Sequence, residues 1–166
     1  MVESLFLPPR LHSQVRLLIL SYTDPMQRFT LPAAVFLLLI KDQQVLLVRR
    51  KNTGWCDGDY DLVAGHIDGG EYMTNALIRE AKEEIDISFH KNDARFVHLL
   101  HYVGNKEYLY ATFEVKAWSG APKINEPNKH DDLSWFPLNK LPRNITPGTA
   151  SILAAYVSGS QYSELN

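Results

Sequence analysis

Hydrophobic and polar positions along the chain predict strands and helices in mixed order. Apolar runs bounded by turn residues predict strands at 33–40, 45–49, 61–64, 95–103, 107–118 and 133–136. Apolar positions spaced three and four residues apart predict a helix at 72–85. A second helix is predicted at 147–158, with Pro147 in its first turn. The pattern is typical of an α/β protein.

The predicted helix at 72–85 carries an unusual concentration of acids. Glu80, Glu83 and Glu84 stand at i, i+3 and i+4, so they share an arc of roughly 100° on one face. Like charges at this spacing destabilise a helix, unless a hard divalent cation such as Mg²⁺ lies among the carboxylates. The alternative for this segment alone is an ordinary solvated helix face with weak ion pairs.

A glycine-rich turn precedes this helix and changes the interpretation. Gly65 and the Gly69-Gly70 pair allow a tight bend, and Glu71 follows near the helix start, where an acid suits the helix dipole. Arg79 lies one turn before Glu83 and can hold its carboxylate in place. A backbone carbonyl freed by the bend could also face a metal ion.

At these positions the chain resembles the Nudix hydrolases, whose signature reads G-x5-E-x7-R-E-U-x-E-E-x-G-U with U apolar. One position departs from the signature, since Asp86 stands where the family usually has a helix-ending glycine, often with positive φ. Asp can take that conformation. The resemblance extends over roughly residues 30 to 157. The matching residues are Gly65, Glu71, Arg79, Glu80, Ala81, Glu83, Glu84 and Ile87.

The resemblance implies an α/β/α sandwich with a mixed β-sheet and a Mg²⁺-dependent pyrophosphohydrolase, with Mn²⁺ as a substitute. Its substrate would be a nucleoside triphosphate or another nucleoside diphosphate linked to a group X. Glu80 is the expected base, since it lies between the two other ligands on the helical arc, and Arg79 is expected to act with it. The expected metal ligands are Glu80, Glu83, Glu84, a carbonyl of Ala64 or Gly65, and Glu107, with Glu126 as the rival of Glu107.

Substrate contacts are expected from the segment between the second and third predicted strands. Arg49, Arg50 and Lys51 are candidates for the phosphates, or else an ordinary solvated strand end. Trp55 or Tyr60 could stack on a nucleobase, or cover the sheet. His66 could reach a phosphate or cap the helix, whereas Trp135 and Phe136 are expected in the core. We interpret His98, His101 and His130 as structural.

Composition narrows the class of protein. The chain has 166 residues, 45% of them hydrophobic, and a formal net charge of −2. It can therefore bury one real core, and its charge does not indicate a nucleic-acid polymer as partner. The apolar run at 31–40 is too short to span a bilayer. The single cysteine, Cys56, is consistent with a reducing, cytoplasmic location and is interpreted as an incidental loop thiol.

We divide the chain into an N-terminal extension (1–28), a catalytic domain (29–160) and a short tail (161–166). The extension could be an added strand or helix, or a homodimer contact, or sequence upstream of a native start at Met26. The alternative to an enzyme is a Nudix fold used as a nucleotide-sensing or protein-binding module. The intact Arg79, Glu80, Glu83 and Glu84 argue against this alternative.

Overall fold

A mixed β-sheet forms the centre of the fold, and one helix packs on each of its faces. The computed structural model describes residues 29–166, and the expectations for residues 1–28 lie outside this range. A 3₁₀ turn at Lys91–Asp93 precedes the fifth strand. In chain order the elements are β1 (Ala33–Lys41), β2 (Gln44–Arg50), β3 (Tyr60–Asp61), β4 (Val63–His66), α1 (Met73–Ile85), β5 (Ala94–Val103), β6 (Glu107–Val115), β7 (His130–Pro137), α2 (Pro147–Ser158) and β8 (Tyr162–Leu165).

Strand β1 organises the sheet. It pairs antiparallel with β4 on one side and parallel with β6 on the other. The C-terminal end of β1 pairs antiparallel with β2, and β2 in turn pairs antiparallel with β3 and β7. Beyond β6 lie β5, antiparallel, and then β8, parallel to β5.

Alternate residues of β1 enter two separate cores, as the period of a strand requires. Val35, Leu37 and Leu39 pack in a cluster with the apolar side of α1. The intervening Ala34, Phe36 and Leu38 pack in a second cluster, which includes residues of α2. Both helices are thus held on opposite faces of one sheet, and the predicted α/β/α sandwich is confirmed.

The end of α1 explains the departure from the family signature. Asp86 follows the helix with φ 55° and ψ 35°, the left-handed conformation in which glycine is usual. Its carboxylate pairs with Lys82 and, at 2.8 Å, with Lys123. The hydrogen bonds from Lys123 and Lys82 lower the pKa of Asp86 to about 2. Aspartate therefore supplies both the required backbone conformation and an ionic contact.

The predicted helices agree with the structure to within one residue, whereas four β segments differ from expectation. The predicted strand at 61–64 is two strands, β3 and β4, and the predicted strand at 107–118 ends at Val115. Strand β7 begins at His130, three residues before the predicted start. Residues 162–165 form β8, where the sequence predicts only a tail. The buried His98 holds this strand in place, with its ring nitrogens 2.9 Å from the Ser160 carbonyl and 2.9 Å from Ser163 Oγ. Across residues 29–166, the structure contains no helix of sufficient length and hydrophobicity to span a membrane.

Candidate active site

Gly65 in β4 makes room for the carboxylate of Glu80 on α1. A Cβ atom built on Gly65 would lie 1.9 Å from both Cδ and Oε1 of Glu80. The carboxylate therefore rests directly on the strand backbone, in the space that a side chain at position 65 would occupy. The position of the Glu80 carboxylate therefore depends on the glycine at position 65.

Arg79 fastens the glycine turn to α1. Its guanidinium donates to Glu71 at 3.2 and 3.0 Å, to Glu80 Oε1 at 2.6 Å and to the His66 carbonyl at 3.1 Å. A further contact reaches Glu83 Oε2 at 3.3 Å. The bond with Arg79 lowers the pKa of Glu71, and the bonds with Glu71 and Glu80 raise the pKa of Arg79. The planar donor fork thus sets the orientation of the Glu80 carboxylate.

Glu84, Glu126 and His130 form a compact group of metal-ligand side chains. One ligand atom from each lies within 4.8 Å of the others. Glu84 Oε2 and His130 Nδ1 are buried and have no hydrogen-bond partner among the described residues. Burial, with the charges of Glu80 and Glu126, raises the pKa of Glu84, and burial lowers the pKa of His130. Because unpaired buried ligand atoms are costly, a divalent cation fits this donor set.

The loop after β6 places Glu126 against α1 by capping the end of that helix. The backbone N–H of Asn125 donates to the Glu84 carbonyl at 2.9 Å, and its side-chain amide donates to the Glu83 carbonyl at 3.0 Å. Lys123 donates its backbone N–H to the Ile85 carbonyl at 3.1 Å. The last carbonyls of a helix otherwise lack partners, so the same contacts that end α1 also position Glu126.

A cleft of about 760 Å³ opens beside this group. Glu84, Lys129 and His130 line one part of it, and rings from four strands line another. The centroid of Tyr110 lies 4.7 Å from Phe36, 5.7 Å from Tyr108 and 5.9 Å from Tyr102. The rings of this second part are Phe36, His66, Tyr102, Tyr108 and Tyr110. This arrangement can hold a planar ring on aromatic faces while phosphates lie beside the carboxylates.

Arg50 presents the guanidinium that borders the cleft. It donates to Asp61 Oδ2 at 3.1 Å, to the Trp55 carbonyl at 2.9 Å and to Thr53 Oγ1 at 3.0 Å. The Trp55 ring centroid lies 5.0 Å from its Cζ. Asp61 is buried, which raises its pKa. These contacts fix the guanidinium of Arg50 at the edge of the cleft.

The structure brings together most of the site residues that the sequence predicts. Ala64, Gly65, His66, Trp55 and Glu84 line the cleft. Glu80 and Glu83 contact Arg79, but neither is among the residues that line the cleft or in the group of Glu84, Glu126 and His130.

Three predicted residues lie elsewhere. Arg49 pairs with Asp131 at 2.6 Å, and Glu107 pairs with His101 Nε2 at 2.7 Å instead of joining Glu84. The Lys51 side chain is not among those that line the cleft. Tyr60, the alternative to Trp55, is buried against Phe136.

Sequence reasoning missed His130 and the tyrosines. His130 follows Glu126 by four residues, which is the spacing that brings two side chains to one side of a turn, and this spacing could have indicated it. Tyr108 and Tyr110 alternate along β6, so they share a face.

Comparisons with known proteins identify the family to which this sequence and fold belong. The profile of the NUDIX domain matches residues 30–156. The NAD-capped RNA hydrolase NudC of Pseudomonas aeruginosa (strain LESB58) is 26% identical over 117 residues, which cover 68% of this chain and 38% of the relative. NudC of Pseudomonas entomophila is 25% identical over 114 residues, covering 66% and 37%. The chain thus spans about two fifths of the length of these curated relatives.

Solved structures share the fold. The crystal structure of a MutT NUDIX hydrolase from Burkholderia pseudomallei has a TM-score of 0.70 and 26% identity, covering 76% of this chain and 98% of that one. A NUDIX hydrolase from Nitrosomonas europaea has a TM-score of 0.67 and 24% identity, covering 80% and 93%.

Proposed function

The chain belongs to the Nudix hydrolase family, which acts on pyrophosphate bonds, and we propose that it is a Mg²⁺-dependent pyrophosphohydrolase of nucleotides. Its substrate would be a nucleoside triphosphate or another nucleoside diphosphate linked to a group X, with Mn²⁺ able to replace Mg²⁺. The observation that carries this proposal is the pair of buried ligand atoms on Glu84 and His130, beside Glu126, for which residues 29–166 provide no hydrogen-bond partner. A nucleotide diphosphate brings the oxygens that complete the coordination of such a cation.

We infer that Glu84 and Glu126 would hold one or more divalent cations, with Glu80 and Glu83 as further carboxylate ligands. The imidazole of His130 is a donor better suited to Mn²⁺ than to Mg²⁺. A backbone carbonyl of Ala64 or Gly65 remains a candidate ligand. When bound, Mg²⁺ would neutralise charge on the phosphates and make an attacking water more acidic.

Glu80 is the group we assign to the proton transfer. Its carboxylate lies on Gly65, and Arg79 fixes it at 2.6 Å, so it is preorganised to take a proton from the attacking water. Arg79 acts through Glu80 and Glu71 and is a positioning residue. Arg50 borders the cleft with a fixed positive charge, suited to phosphate oxygens.

The aromatic part of the cleft supports a nucleotide as the small-molecule substrate. Rings of Tyr108 and Tyr110 can receive a base by stacking. The name of the Pseudomonas relatives adds dinucleotide linkages of the NAD type to the substrates worth testing. The net charge of −2 does not indicate a nucleic-acid polymer as partner, and an NAD-capped RNA, as in the name of those relatives, belongs in the panel as the test of this expectation. The single Cys56 is consistent with a cytoplasmic location.

The test is release of phosphate, pyrophosphate or nucleoside monophosphate from a nucleotide panel with Mg²⁺, repeated with EDTA. We expect hydrolysis that EDTA abolishes. Glu80→Gln should keep the melting temperature and lower kcat by roughly 10²–10⁴. A Glu80→Gln variant with near-normal turnover would remove Glu80 from its role. Tight nucleotide binding without hydrolysis across the panel would instead favour a binding module.

A further inference from the structure

Lys129 holds the carboxylate of Glu126, which is one of the three residues of the metal-ligand group. Its Nζ lies 2.8 Å from Glu126 Oε1 and 2.9 Å from Oε2. The ammonium group therefore contacts both oxygens through which Glu126 could bind a cation. Lys129 also lines the cleft, together with Glu84 and His130, so its side chain borders both the ligand group and the space for substrate.

The backbone builds Lys129 into the same turn as the ligands. The carbonyl of Glu126 accepts hydrogen bonds from the N–H groups of Lys129, at 2.9 Å, and of His130, at 3.0 Å. This single turn brings positions i, i+3 and i+4 to one side, as in a helix. The lysine is thus placed beside Glu126 and His130 by the turn itself.

The charges around Lys129 are mainly negative. The hydrogen bond with Glu126 raises the pKa of Lys129, and the charges of Glu84 and Glu80 act in the same direction. One positive charge therefore balances a group of carboxylates that would repel one another without it. A divalent cation would bind the same oxygens of Glu126 and would repel the ammonium group of Lys129. The cation and the ammonium group therefore compete for that carboxylate.

We propose that Lys129 is an internal counter-ion, which a divalent cation displaces from Glu126, and that the freed ammonium group then contacts the phosphates of the substrate. This inference rests on the proposed metal-dependent function. It has two consequences. Lys129 weakens cation binding to the free protein, and it couples cation binding to nucleotide binding in both directions, because such coupling is reciprocal.

The test compares Lys129→Met with Lys129→Arg and with the matched control Lys82→Met. Lys82 lies on α1, but its ammonium group pairs with Asp86 at the helix end. The measurement is Mn²⁺ binding to each full-length protein by electron paramagnetic resonance, without nucleotide. Lys129→Met should bind Mn²⁺ several-fold more tightly than the wild type. Lys129→Arg and Lys82→Met should stay within about twofold of it.

The second measurement is KM for the best nucleotide of the panel at saturating Mg²⁺. Lys129→Met should raise KM about tenfold, because a charged contact to phosphate is lost. Mn²⁺ binding in Lys129→Met that is equal to or weaker than in the wild type overturns the counter-ion role. An unchanged KM overturns the phosphate contact.

The wild-type protein separates these outcomes from a failure of the proposed function. The metal site is supported if Glu84→Gln abolishes Mn²⁺ binding and EDTA stops hydrolysis. This conclusion does not depend on the results for the Lys129 variants. Wild-type protein that binds no Mn²⁺ removes the metal site and the role of Lys129 together. Circular dichroism melts of each variant confirm that it is folded at the temperature of the binding measurement, and any loss of stability from the removed ion pair should be small.

Discussion

Replacing Gly65 by alanine should remove activity without unfolding the protein. The backbone of Gly65 does not adopt a left-handed conformation, so alanine is allowed there. The new methyl group would meet Glu80 Cδ and Oε1 at 1.9 Å. The atoms in its way belong to the end of a flexible side chain, so the carboxylate of Glu80 should move while the strand stays in place.

The size of the effect follows from the distance. Ordinary contacts begin near 3.4 Å, so the carboxylate must retreat by about 1.5 Å. Its bond with Arg79, 2.6 Å long, would be lost or rebuilt in another place. A misplacement of about 1 Å costs roughly 10² in rate, which corresponds to about 2.7 kcal/mol of barrier. The melting temperature should fall only slightly, because the lost contact between Glu80 and Arg79 is partly offset by the restriction that alanine places on the unfolded chain.

The assay is kcat on the best nucleotide of the panel at saturating Mg²⁺, with a melt of each variant. Gly69→Ala is the matched control, since it lies in the same turn with nothing within 4 Å of the added carbon, and should keep near-normal activity. In a Glu80→Gln background, Gly65→Ala should add little, because both changes act on one carboxylate. The reasoning would be refuted if Gly65→Ala kept more than half of the wild-type kcat. It would also be refuted if the losses of kcat from Gly65→Ala and Glu80→Gln were fully additive.

Two further predictions concern stability. Asp86 has a pKa of about 2 in the folded protein against 3.8 for an unperturbed Asp, so its stabilisation is present above about pH 4 and is lost as the pH falls through about 2. Asp86→Asn, which tolerates the left-handed backbone, should melt below the wild type at pH 6, and this gap should close by pH 2. A gap that persists at pH 2 would contradict an ionic role. His98→Leu should lower the free energy of unfolding, measured by urea titration, by roughly 1–3 kcal/mol. The reason is that the Ser160 carbonyl and Ser163 Oγ lose their buried partner. An unchanged urea midpoint would show that His98 does not hold β8.

The fold could be predicted from the sequence where local pattern and tertiary packing agree. The apolar stripe of α1 and the continuous apolar run of β1 each point to one structure, and both are found. Strand β8 could not be predicted in this way. Its four residues carry little apolar pattern, and its pairing depends on the distant His98.

Strand geometry also limited the prediction of substrate contacts. Arg49, Arg50 and Lys51 are equivalent in composition, but side chains alternate between faces, and the pairing of β2 with β7 shifts register between Arg49 and Arg50. Only the folded strand shows that Arg50 borders the cleft. Glu126 and Glu107 were likewise indistinguishable in sequence, because the choice depends on how Asn125 caps α1.

The division of β1 between two cores gives its two faces different roles, since one face packs with the acidic helix and the other contributes to both the second core and the cleft. Ala34 and Phe36 belong to the cleft lining, whereas the intervening Val35 and Leu37 pack with α1. Libraries randomised at alternate codons of this one strand, on the cleft side, could therefore alter which nucleotide is accepted while leaving the packing that carries the acidic helix untouched.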